Sequence, residues 1–130
     1  MRPRALTAIL VAGAAMLAMR RIDVVEVRGR SMSPTLRPGD RLLVVRARPR
    51  PGDVVLAPDP RYTKRELVKR VASLEADGVA LRGDNAAAST DAIVDPTAVL
   101  WRAVLCYWPP SRVGVVPRGG VVAVADRRNR

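Results

Sequence analysis

Two hydrophobic patterns divide the chain. Residues 5–19, ALTAILVAGAAMLAM, are apolar without a break, whereas from residue 22 onward apolar residues come in short β-branched runs separated by turn residues. A long uninterrupted run suits a helix, and short Val/Ile/Leu-rich runs bounded by Gly, Pro, Asp and Asn suit strands. Six segments read as strands: 22–28 (IDVVEVR), 41–47, 53–57, 66–74, 78–82 and 97–108, punctuated by RPGD, RPRPGD and RGDN. The pattern predicts a mostly β fold, with a small antiparallel β domain over 22–115. One hydrophobic helix precedes it within 1–21, and a basic tail, 116–130, follows. The last stretch, GGVVAVADRRNR, offers one further edge strand before a charged, solvated terminus.

The apolar run is bracketed by Arg2 and Arg4 on one side and by Arg20 and Arg21 on the other. As a helix, fifteen residues span roughly 22 Å, less than the ~30 Å hydrocarbon core of a bilayer, although arginines snorkel and bilayers thin. We read it as a retained single-pass anchor; a cleaved leader or a buried helix shares the same pattern. Arginines at both ends leave the orientation open.

With 130 residues the chain has room for one small domain. Its net charge of +11 brings nucleic acid, anionic lipid and acidic partners into view. Aromatic residues make up only 3% and no stacking pattern occurs, so no specific nucleic-acid contact is expected. A basic nucleic-acid-binding β module is nonetheless the non-enzyme alternative. Cys106 is the one cysteine and histidine is absent, which excludes an intrachain disulfide and the usual zinc ligand sets. No metal or cofactor is expected.

One stretch carries candidate chemistry. In GRSMSPTLRPGD, residues 29–40, a serine sits in a turn just after an apolar run. Serine is a poor nucleophile unless a base takes its proton. Without histidine, that base must be a carboxylate or a neutral lysine amine, because arginine keeps its proton in proteins. Of the 23 basic residues only Lys64 and Lys69 are lysines. Lys64 lies between Arg61 and Arg65 in what reads as a charged turn. Lys69, on a strand, shares a face with Leu67 and Val71. Desolvation there disfavours the ammonium, with Arg70 nearby acting in the same direction, as a lysine base requires.

GRSMSPTL followed by RPGD, then ELVKRV, then RGDNAAASTD, in that order, resembles the serine–lysine proteases of the type I signal peptidase family over residues 22–115. The resemblance implies a membrane-bound endopeptidase, catalytic domain extracytoplasmic, that removes leader peptides from precursor proteins. By position, Ser31 resembles the nucleophile and Lys69 the general base. Ser89 matches a serine that orients the lysine amine, and Asp91 a structural acid. Ser33 is expected only to cap the turn. The Ser31 main-chain N–H would serve the oxyanion; some relatives add a serine hydroxyl where this chain has Gly29. Ile93 stands where an arginine often pairs with the acid matching Asp91.

The substrate is expected as an extended strand between the segment entering Ser31 and the one carrying Lys69. Val27, Met32, Leu36, Leu67 and Val68 match positions lining shallow pockets for small side chains, with Arg28 where proline is common. Trp101, Tyr107 and Trp108 read as core or membrane-interface aromatics. The length resembles that of core-only members, which include maturation proteases of nickel-type superoxide dismutase, an alternative role. Repressor-type autoproteases share the dyad but need a DNA-binding domain and a cleavage loop, for which residues 1–21 provide neither.

Overall fold

The computed structural model describes residues 2–119. Helix α1 (Pro3–Met19) begins with proline at its first turn, where the fixed φ suits a helix and the missing N–H costs nothing. It is followed by β1 (Ile22–Glu26), β2 (Arg41–Arg46), β3 (Val54–Asp59), β4 (Tyr62–Glu75), β5 (Gly78–Arg82), β6 (Ala92–Val94), β7 (Trp101–Trp108) and β8 (Gly114–Val115). The strands form one antiparallel sheet in the order β1-β2-β7-β3-β4-β5-β6, with β8 on β7.

All six expected strands are present. Two are longer than expected: β3 runs on through Pro58, and β4 begins at Tyr62, which places Lys64 on an exposed strand rather than in a turn. Two were not anticipated, β6 and β8, which are only three and two residues long. The tail from residue 120, where a further edge strand or solvated end was expected, lies outside the described residues.

The expected single-pass anchor is not supported. α1 has 17 residues, and among the described residues no helix is long and apolar enough to cross a membrane. At 1.5 Å per residue it reaches about 25 Å, short of a ~30 Å hydrocarbon core. None of its residues is buried.

The strands enclose two apolar clusters. One gathers Val27, Met32, Leu36, Leu42, Val44, Val54, Ala103, Cys106 and Val116, with Val25, Val68 and Trp101 packed against it. The other gathers Val55, Ala57, Val71, Val79, Leu81, Val94 and Val99. Strand β3 belongs to both, since adjacent residues point to opposite faces and both faces are covered. Trp101 lies partly buried under the Arg46 guanidinium, 5.6 Å from ring centre, while Tyr107 and Trp108 are exposed.

The connection between β1 and β2 carries Ser31, and it is held from three sides. Its ends pair through Val27 N–H to the Asp40 carbonyl at 2.8 Å and Gly39 N–H to the Val27 carbonyl at 2.9 Å. Val27, Met32 and Leu36 sink into the first cluster, and Asp40 binds the Arg37 N–H and the Arg112 guanidinium in a two-point contact. Burial alone would raise the Asp40 pKa, but hydrogen bonds from Arg112 and Arg37 outweigh it and hold the carboxyl below its ordinary value.

A carboxyl depressed in this way stabilises the fold above its unfolded pKa, and that contribution is lost as pH falls through the folded value. Arg112→Met should therefore cost about 1.5–3 kcal/mol near neutrality. In thermal melts the gap to wild type should narrow as pH falls through the depressed folded pKa and the carboxylate is protonated. A gap independent of pH would contradict the role assigned to this pair.

Candidate active site

Lys69 lies at the middle of β4, opposite Val55 of β3, and its side chain joins the face that carries Val55, Val71 and the second cluster. Only 4% of Lys69 is exposed. Its Nζ donates to Ser89 Oγ at 2.6 Å. Desolvation is the largest influence on the amine and lowers its pKa. Asp91 and Asp59 pull it upward and Arg61 pushes it down, and the net direction is down.

The expected helper Arg70 does not act on that amine. It follows Lys69 on the strand, so its side chain leaves by the opposite face and is taken up by Asp84 through two parallel bonds of 2.8 Å each. The cation that acts on Lys69 is Arg61, on the two-residue turn between β3 and β4. Nothing in the local pattern around ELVKRV points to it.

Ser89 follows a short 3-10 turn, Ala86–Ala88, in extended conformation. The segment 83–85 ties it to the Ser31 loop: Asn85 N–H donates to the Ser31 carbonyl at 2.8 Å, and Asn85 Nδ2 donates to the Arg30 carbonyl at 3.0 Å. Gly83 is where the parts converge. A Cβ there would lie 2.5 Å from the Ser31 carbonyl oxygen and the same distance from Ser89 Cβ, and would overlap Ser89 Oγ. Only glycine lets these groups approach. Ser31 is thus brought by its backbone against the serine that holds the Lys69 amine.

Ser31 itself is half-buried in the turn after Gly29, whose φ of +76° lies in the left-handed region. The Ser33 hydroxyl donates to the Leu36 carbonyl at 3.4 Å, a local turn contact. Asp91 is exposed and reaches Lys69 through its charge rather than a hydrogen bond. The five expected lining residues separate: Val27, Met32 and Leu36 are core residues, Val68 packs against them, and Leu67 shares the Lys69 face. Gly83, Asn85 and the Arg70–Asp84 pair were not singled out from the sequence. RGDN signalled a turn, and its tertiary contacts leave no mark on the local pattern.

Among the described residues no group of three or more His, Cys, Asp or Glu side chains could hold a metal ion. The Ser31 hydroxyl, the buried Lys69 amine and the Ser89 hydroxyl bonded to it are groups of the kinds that acyl transfer without histidine uses.

A comparison with protein families places the chain among peptidases. The family described as "Signal peptidase, peptidase S26" matches residues 2–98. The chain belongs to this peptidase family, whose substrates are precursor proteins. No curated protein and no solved structure matches it.

Gly83→Ala is the direct test of the convergence. The added methyl should push the Ser31 carbonyl and Ser89 apart, costing about 1–3 kcal/mol of stability and about a hundredfold in peptide cleavage. Thermal melts and a cleavage assay read both, and unchanged values would show that the close approach is immaterial.

Proposed function

We propose that the protein is a serine endopeptidase with a Ser31–Lys69 dyad that removes leader peptides from precursor proteins. The observation that carries this reading is the buried Lys69 amine, held by Ser89 in a chain that otherwise chooses arginine. In the proposed cycle the neutral amine takes the Ser31 hydroxyl proton as Oγ attacks the scissile carbonyl. The Ser31 N–H faces the developing oxyanion. The tetrahedral intermediate collapses, Lys69 returns the proton to the leaving amine, and an acyl-Ser31 ester remains. Water, deprotonated by Lys69, then releases the leader and frees the hydroxyl.

The strand pairing supports an extended substrate. Strand β5 pairs with β4 only from Arg70 to Glu75, and β3 covers the other edge from Tyr62 to Arg70. Among the described residues no strand covers the β5-side edge of β4 from Tyr62 to Lys69. Its main-chain groups are open to an added strand running into the site. In this reading Leu67 borders the substrate, while Met32, Leu36, Val27 and Val68 form the floor that favours small side chains. The reading also includes membrane association without a full span, with the catalytic domain on the extracytoplasmic side. Its support is α1, apolar and exposed on every face.

Ser31→Ala should abolish cleavage of a leader peptide, while Ser33→Ala keeps at least about a tenth of it. Lys69→Arg should abolish it as well, since it keeps the charge and removes the base, and Lys64→Arg should not. Wild-type activity should rise with pH as the Ser31–Lys69 site loses its proton. Stability follows with the same sign. The unfolded chain binds more protons than the folded one between the depressed folded pKa and ~10.4, so stability grows as pH rises through that window. Normal turnover by a folded Ser31→Ala or Lys69→Arg protein would overturn the mechanism. Comparing a secretory leader with a short soluble pro-segment in the same assay separates a general signal peptidase from a dedicated maturase.

A further inference from the structure

Residues 116–119 leave β8 and cross the back of the site. Val116 is buried, its N–H bonded to the Val104 carbonyl at 3.1 Å. The next three residues all engage the neighbourhood of Arg70. The Pro117 carbonyl accepts from Arg70 Nη1 at 3.0 Å, Arg118 Nε donates to Asp53 Oδ1 at 2.7 Å, and Gly119 N–H donates to the Gly52 carbonyl at 3.0 Å. That same Gly52 carbonyl accepts from Arg70 Nη1 at 2.8 Å. The fit is close, since a Cβ on Gly52 would lie 2.7 Å from the Gly119 Cα. This strap lies past the residues matched by the family, 2–98.

The guanidinium it holds has a defined task. Arg70 grips both oxygens of Asp84, and the two side chains are only 12% and 17% exposed. Burial alone would raise the Asp84 pKa, yet hydrogen bonds from Arg70 and Thr35 keep the carboxyl below its ordinary value. Arg70 is joined to Lys69 by one peptide bond, and Asp84 to Gly83 by another. The pair thus fixes strand β4, which carries the amine, against the segment that holds Ser31 and Ser89. Without the strap, Arg70 Nη1 loses the Pro117 carbonyl, and the Gly52 carbonyl that it also binds loses the Gly119 N–H that holds it in place, so the guanidinium keeps Asp84 but is less firmly seated.

We infer that the segment Val116–Gly119 positions the Ser31–Lys69 site through Arg70, with Arg118 as its latch on Asp53. This rests on the proposed dyad. Arg118 touches no reacting atom and is a positioning residue. A small displacement of a catalytic group costs rate far more than stability, so the strap's effect belongs in turnover.

The test is steady-state cleavage of a fluorogenic leader peptide, with Ala one and three residues before the cut, by the full-length protein in detergent. Arg118→Ala should lower kcat about tenfold or more. It should leave KM within about twofold and move the acid limb of the pH profile, because the Lys69 environment changes. Arg118→Lys, which can still reach Asp53, should restore most of the rate. Asp53→Asn, which weakens the latch from its other side and keeps an oxygen for the Arg50 N–H, should reproduce the kcat loss and supplies the answer should Arg118→Ala not fold. Variants that lose thermal stability but keep kcat and the pH profile would overturn the inference. Ser31→Ala in the same assay separates the failures: full turnover by that variant sinks the dyad itself, whereas its silence beside a normal Arg118→Ala sinks only the strap.

Discussion

An amine withdrawn from water is the constraint around which this molecule is arranged. Lys69 is nearly inaccessible, opposite Val55 on β3 and two residues before Val71 on its own strand, both buried apolar residues. Burying an ammonium is costly unless it is paired, and a lysine so placed gives up its proton more readily. Ser89 supplies a short polar contact, and that contact ties the segment 83–91 to β4. The Ser31 loop follows, because Asn85 and the bare face of Gly83 draw its backbone against the same segment. Packing of Met32 and Leu36 beneath the loop and the Arg112–Asp40 pair beside it hold the loop in place.

Much of this was legible in the sequence because the relevant signals are local. Strand positions follow from apolar runs between Gly/Pro turns, and all six expected strands occur. Alternation along ELVKRV is enough to place Lys69 on the face of Leu67 and Val71. Burial there is enough to give the direction of its pKa. The absence of histidine by itself narrows the possible bases to a carboxylate or a lysine amine.

What was not legible depends on the third dimension. Arg70 was expected to act on Lys69 as its sequence neighbour, but adjacent residues on a strand point apart, and Asp84 captures it across the sheet. Arg61, eight positions away, acts instead because β4 extends back to Tyr62. The need for glycine at position 83 arises from contacts with residues far along the chain, which RGDN alone does not reveal. Val27, Met32 and Leu36 read as pocket walls from the sequence, and the structure buries them in the core. The helix, uncharged from Ala5 to Met19, stops short of a membrane-spanning length.

The central claim is that Lys69 is neutral in the folded protein over a pH range where a free lysine is charged. The chain permits a direct measurement, because Lys64→Arg leaves Lys69 as its single lysine. Titrating the 13Cε signal of that variant by NMR, folded and then urea-unfolded, reads the protonation of one amine. The account predicts a folded midpoint well below the ~10.4 of a free lysine, returning to it on unfolding. A folded midpoint at or above the unfolded one would contradict it.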